Sequence, residues 1–232
     1  MNRTKWMCVL ALACGVLAVC AGARGAMIPV VNAGFENPGL DDDKWTSNNV
    51  PGWTKVGADP EFGIGVWNPT TSDFTPVVAP EGQNVAYTEN PYDGTARGLS
   101  QVLTTTFAAN TDYTLTVEVG NSWDYWWSGY KVQLLAGGTV LAEDDKLWPD
   151  YRKWVTSTVA YTYDSAHAGL VGQPLEIRLL NKGIDMDAPD GAKADGSSIV
   201  GVEFDNVVLT PEPASLSVLA LGGLALIRRR RK

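Results

Sequence analysis

Hydrophobic and polar positions alternate with a period of two along most of the chain, and almost nowhere with the period of a helix. Tyr113, Leu115, Val117 and Val119 fall on one face of an extended segment, with Thr114, Thr116 and Glu118 on the other. Val155, Ser157, Val159, Tyr161 and Tyr163 repeat the pattern, followed by Leu175, Ile177 and Leu179. Residues 84–88, 99–107 and 131–135 also read as strands. Leu135-Ala136-Gly137-Gly138-Thr139-Val140 reads as a tight hairpin, because paired glycines tolerate the positive φ that such turns need. Val202 and Phe204 are out of phase with Val207 and Leu209, which predicts a bulge or kink at Asp205-Asn206. About eight to ten short strands, separated by Gly, Pro, Asn and Asp, predict an all-β antiparallel β-sandwich of the jelly-roll type. Residues 41–51 and 184–198 are predicted loops. The second holds Asp185, Asp187, Asp190 and Asp195 but is no EF-hand, since Gly196 stands where the twelfth position needs a Glu.

An apolar stretch at each end breaks this pattern and predicts a flanking helix. At the front, Arg3 and Lys5 precede the apolar residues 6–21, and Ala21-Gly22-Ala23 then offers small residues for cleavage, with Ala26 as a second possible cut. Residues 1–26 therefore read as a signal peptide. At the back, residues 214–227 carry no charge and no proline, and as a helix cover roughly 21 Å against a hydrocarbon core of about 30 Å. Arg228, Arg229, Arg230, Arg231 and Lys232 close the chain, a basic stop that belongs on the cytoplasmic side of a membrane.

Pro211-Glu212-Pro213, the apolar helix and the arginine run together resemble the PEP-CTERM sorting signal. The resemblance implies processing by an exosortase after signal peptidase, and delivery to the cell surface or extracellular matrix. Membrane contact would be confined to residues 211–232 before cleavage, which leaves 27–210 as one sandwich domain.

Composition narrows the chemistry of that domain. Cys8, Cys14 and Cys20 all precede it, so it has neither disulfide nor thiol chemistry. Residues 27–227 hold ten basic and twenty-six acidic side chains, a net −16, which disfavours nucleic acid as a partner. His167 is the only histidine, too few for a His-rich metal site, and no Gly-x-Ser-x-Gly elbow is present. Glycoside hydrolysis needs only two carboxylates, but nothing singles out a pair. The domain thus reads as non-catalytic.

Trp123, Asp124, Tyr125, Trp126 and Trp127 form the densest aromatic run. Such rings suit stacking on sugar faces, and Asp124 could accept hydroxyl hydrogens. Alternation through Tyr125, Trp127 and Gly129 sends about half of them inward, so a core role stays open beside the ligand role. Trp148, Tyr151 and Trp154 carry the same ambiguity.

Several motifs resemble the galactose-binding-like jelly rolls, in particular the carbohydrate-binding modules attached to xylanases and cellulases. They are Asn32-Ala33-Gly34-Phe35-Glu36, Gly52-Trp53, Gly98-Leu99-Ser100-Gln101-Val102, Ala109-Asn110-Thr111 leading to Tyr113, and Phe204-Asp205-Asn206-Val207-Val208-Leu209. The resemblance implies one structural Ca²⁺ where the first and last strands meet, with Glu36 and Asp205 as ligands; turn caps or ion pairs are the alternative for both. The expectation is an exported, exosortase-sorted surface or matrix protein that binds extracellular polysaccharide without catalysis. The alternatives are an interaction module with no sugar ligand and, more remotely, a glycoside hydrolase.

Overall fold

The computed structural model describes residues 25–57, 63–123, 126–183 and 199–213. Both predicted terminal helices, the arginines from Arg228 to Arg231, and the predicted loop 184–198 lie outside these residues. The described residues form twelve strands: β1 Trp45–Thr46, β2 Thr54–Val56, β3 Ile64–Trp67, β4 Val85–Pro91, β5 Arg97–Thr106, β6 Thr111–Asn121, β7 Trp126–Trp127, β8 Tyr130–Ala136, β9 Thr139–Asp144, β10 Lys153–Tyr161, β11 Pro174–Asn181 and β12 Ile199–Pro213. The count exceeds the sequence expectation because β1, β2, β3 and β7 are two to four residues long, too short to display alternation.

The strands form an antiparallel two-sheet sandwich, as the alternation predicts. One sheet has seven strands in the order β1-β3-β4-β12-β6-β10, with β7 alongside β12; the other has five in the order β2-β5-β11-β8-β9. The single parallel pairing is β7 with β12, where Trp126 and Trp127 sit beside Val200 and Gly201, just beyond the reach of β6.

The inner faces supply the core. Tyr113, Leu115, Val117 and Val119 of β6 are all buried against Leu175, Ile177 and Leu179 of β11 and Val132 and Leu134 of β8. Burying each such side chain contributes about 1.5–3 kcal/mol. The hairpin between β8 and β9 turns on Gly137 (φ 55°) and Gly138 (φ 82°), the left-handed pair that the sequence predicts.

β12 changes phase where expected. Its pairing with β6 shifts between Asp205 and Val208, and Asn206 takes φ 49°. This bulge lets Val202 and Phe204 before it, and Val207 and Leu209 after it, all reach the same core. Pro211, Glu212 and Pro213 continue the strand, paired with Tyr113, Asp112 and Thr111, so the sheet extends past residue 210.

Candidate functional site

A second apolar cluster, separate from the core, lies on the outer face of the seven-stranded sheet. It contains Trp67, Phe74, Val85 and Tyr87, with Ala79 and Trp154 packed against it. The register explains its shape. Gly65 of β3, Tyr87 of β4, Glu203 of β12, Gly120 of β6 and Trp154 of β10 are successive cross-strand partners, forming one row across five strands. Residues directly opposite each other in an antiparallel sheet point to the same face. Val202 and Phe204 point to the core, so Glu203 points outward between Tyr87 and Trp154.

Of the two glycines in the row, Gly65 makes room for the backbone at Thr46 and Ser47, and Gly120 makes room for rings. A Cβ on Gly120 would lie 2.7 Å from Cζ3 of Trp154 and 3.0 Å from Cε1 of Phe74. Trp154 therefore lies over bare backbone and stacks on Phe74 with centroids 4.4 Å apart. A strap formed by residues 68–84 holds Phe74 in place. Asp73 accepts the N–H and the hydroxyl of Thr70, and Trp154 Nε1 donates to the Val78 carbonyl at 3.3 Å. Arg152 Nη2 and Lys153 Nζ donate to the carbonyls of Thr71 and Thr75.

Beneath this cover the Glu203 side chain is 2 % exposed. Ser122 donates twice to it, from its hydroxyl to Oε1 at 2.8 Å and from its backbone N–H to Oε2 at 3.3 Å. A carboxyl group so enclosed, in one cross-strand row with Tyr87 and Trp154 and held by fixed donors, suits proton transfer to an apolar molecule.

The predicted aromatic run divides as its alternation allows. Trp127 is core, 1 % exposed, whereas Trp123 and Trp126 are exposed; Asp124 and Tyr125 lie outside the described residues. Trp123 directly follows Ser122, and its ring is 6.2 Å from Tyr151, also exposed. Trp45 meets Tyr87 edge-on at 6.4 Å. These exposed rings therefore adjoin the row containing Glu203. His167 bonds to Tyr161, at the opposite end of β10 from Trp154.

Glu36 and Asp205 converge as the sequence suggests, both gripping the segment that leads into β4. Glu36 Oε1 accepts the N–H groups of Gln83 and Asn84 at 2.9 and 2.8 Å. Asp205 accepts those of Glu81 and Asn206, each at 2.7 Å. Burial pushes the Asp205 carboxyl up to about 8, and the nearby Glu81 and Glu36 charges push the same way against the two backbone bonds. Glu81 is the member that the sequence did not mark; a Cβ on Gly34 would overlap its carboxylate. Asn84 Oδ1 is buried there without a hydrogen-bond partner. Hard oxygen donors of this kind fit a calcium ion. Among the described residues no three His, Cys, Asp or Glu side chains yet close into a metal cage. A cleft of about 590 Å³ adjoins these carboxylates, lined also by Ile28, Val30 and Leu209.

Sequence reasoning passed over Glu203, Ser122, Tyr87, Trp67 and Phe74 as site residues. The available signal was the placement of glycines: Gly65 and Gly120 interrupt otherwise well-filled strands, which marks close approach by something else.

Comparison with known proteins supplies the chemistry. The family model described as HpiC1-like, HpiC1 cyclase, matches residues 26–210. A crystal structure of the Stig cyclase Fisc from Fischerella sp. TAU, in complex with (3Z)-3-(1-methyl-2-pyrrolidinylidene)-3H-indole, is 34 % identical with a TM-score of 0.69, covering 82 % of this chain and 99 % of that one. A cyclase from Fischerella sp. TAU in complex with 4-(1H-indol-3-yl)butan-2-one is 34 % identical with a TM-score of 0.68, covering 82 % and 98 %. Carbohydrate-binding modules are also among the similar structures: the CBM22-1 xylan-binding domain from Paenibacillus barcinonensis Xyn10C is 16 % identical with a TM-score of 0.49, covering 83 % and 99 %. That likeness carries no inference about ligand. Among curated proteins none matches this chain.

These matches correct four expectations. A non-catalytic module is overturned by a family of cyclases. Polysaccharide as partner gives way to small indole compounds, the ligands of the crystallised relatives. The exosortase and signal-peptidase partnership expected from the two terminal segments finds no support in the matched family, which is one of cyclases. The expected anchored surface or matrix location falls with it, and among the described residues no helix is long and apolar enough to cross a membrane. By a family model that matches residues 26–210, and by solved relatives a third identical to it, the chain belongs to the HpiC1-like cyclase family.

Proposed function

We propose that the protein cyclises a small indole-bearing molecule on the outer face of the seven-stranded sheet, with Glu203 as the proton-transferring group. The observation that carries this reading is the position of Glu203: 2 % exposed, between Tyr87 and Trp154 in the sheet register, and held by Ser122. A cyclising isomerisation neither adds nor removes atoms, so its demand on the protein is proton movement and shelter from water. The Glu203 acid protonates an alkene on the substrate side chain, and the aromatic faces stabilise the resulting cation. The indole π pair then closes the new carbon–carbon bond, and the carboxylate takes back a proton from the cyclised cation. Trp67, Phe74 and the strap exclude competing water.

Trp123 and Trp126 serve as the entrance, where exposed rings receive a planar aromatic ligand. Glu36 and Asp205, joined by Glu81 and Asn84 Oδ1, would hold calcium at a separate, structural site at the root of the strap, where it would neutralise the converging carboxylates.

The test is incubation of the full chain with a panel of 3-substituted indoles bearing a side-chain alkene, followed by mass spectrometry and NMR. Wild type should yield an isomer of unchanged mass with a new ring. Glu203→Gln should reduce its formation by about 10²–10⁴-fold while still binding 4-(1H-indol-3-yl)butan-2-one. Turnover by Glu203→Gln at the wild-type rate would remove Glu203 from the chemistry.

A further inference from the structure

We infer that Ser122 is the positioning residue for the Glu203 carboxylate, an assignment that rests on the proposed role of Glu203. The two side chains are almost fully enclosed, at 3 % and 2 % exposure. A glutamate reaches its target through three rotatable bonds, and a single donor would leave the carboxylate free to turn about the last of them. Ser122 removes that freedom by addressing both oxygens, with the hydroxyl on Oε1 and the main-chain N–H on Oε2. The plane of the carboxylate is thereby set relative to Tyr87 and Trp154.

The donors are themselves held. Ser122 follows the last residue of β6, where the strand leaves the sheet. Asn121 accepts the Arg152 N–H at its carbonyl, at 2.7 Å, and donates from Nδ2 to the Pro149 carbonyl at 3.0 Å. The turn that carries Tyr151 and leads to Trp154 therefore also fixes the serine. Ser122 stands two residues on from Gly120, the register partner of Glu203, so its side chain reaches the acid from beside the row, while Tyr87 and Trp154 belong to the row itself.

The chemical division between the two donors is unequal, and useful. A backbone N–H can only donate, so Oε2 remains an acceptor in both protonation states. A hydroxyl can turn, donating to the carboxylate and accepting from the acid, so Oε1 can gain and lose a proton without leaving Ser122 unpaired. Of the two Ser122 contacts, an alanine loses this adaptable one and retains the longer backbone bond; a threonine retains both.

The experiment compares Ser122→Ala, Ser122→Thr and Glu203→Gln in the full chain, at one fixed pH. The substrate is whichever member of the indole alkene panel wild type converts fastest. Ser122→Ala should lower kcat by about 10- to 30-fold with KM within about twofold. Ser122→Thr should recover most of the loss, and urea midpoints should stay close to wild type. A crystal structure of Ser122→Ala should show the Glu203 carboxylate rotated from its wild-type plane. An unchanged kcat in Ser122→Ala, or equal losses in the alanine and threonine variants, overturns the assignment. If Glu203→Gln is fully active, the proposed reaction at Glu203 is what fails. The crystal structure then decides on Ser122 by itself: an unmoved carboxylate in Ser122→Ala refutes the positioning.

Discussion

Without calcium the stability of this protein should fall as pH rises, because Asp205 is a buried acid. In the folded chain its carboxyl titrates near about 8, against 3.8 when freely solvated. The folded state therefore holds a proton over an interval in which the unfolded chain has released it. Stability from this group is complete below about pH 4, declines across the interval, and is lost once pH passes the folded value. Roughly four units at 1.36 kcal/mol each correspond to about 5 kcal/mol, comparable with the whole stability of a small domain. Urea unfolding followed by tryptophan fluorescence, in EDTA at pH 5 and pH 8.5, reads this directly. With a urea slope of about 2 kcal/mol/M, the midpoint should fall by roughly 2 M between the two. Calcium at pH 8.5 should restore most of it, since a cation takes the place of the proton among Asp205, Glu36 and Glu81. Asp205→Asn should remove the slope, at a fixed cost of about 1–3 kcal/mol from an amide donor facing a backbone N–H. An EDTA-treated wild type with the same midpoint at both pH values would refute the buried-acid argument. A calcium-insensitive midpoint at pH 8.5 would refute the site alone.

Three further outcomes follow from the packing. Trp127→Ala should cost about 3–5 kcal/mol in urea unfolding, because its ring is buried in the core, whereas Trp126→Ala should change stability by less than about 1 kcal/mol and weaken binding of 4-(1H-indol-3-yl)butan-2-one instead. Gly120→Ala should displace Trp154 from its stack on Phe74, costing about 1–3 kcal/mol and altering the near-ultraviolet circular dichroism spectrum. Tyr130→Phe should cost about 1–2 kcal/mol, since the Tyr130 hydroxyl and Ser157 both donate to Asp144 and so join β8, β9 and β10 along one edge of the sandwich. Because burial and the Asp144 bond raise the Tyr130 pKa, its hydroxyl should show no ionisation in an ultraviolet titration up to the pH at which the chain unfolds.

The sandwich was legible in the sequence because its cause is local. Alternation in β6, β10 and β11 is written residue by residue, and the bulge at Asp205-Asn206 shows as a break in phase. The meeting of Glu36 with Asp205 was expected on another ground, the resemblance of the motifs at residues 32–36 and 204–209 to galactose-binding-like jelly rolls. The reacting face has no such local signature. Alternation correctly turns Glu203 away from the core, but outward in a strand is not the same as exposed. Glu203 is buried all the same, and its cross-strand surroundings, Tyr87 on one side and Gly120 with Trp154 lying over it on the other, have no sequence period. The aromatic run misled for a chemical reason, since a ring that stacks on a sugar stacks equally well on an indole. The motifs shared with sugar-binding modules lie in the framework, at residues 32–36 and 204–209, and describe how the sandwich closes. They say nothing of the outward positions on β4, β6, β10 and β12, where these folds differ in function. Fold resemblance and the proposed activity therefore occupy opposite sides of the same strand: Phe204 belongs to the first, and Glu203 to the second.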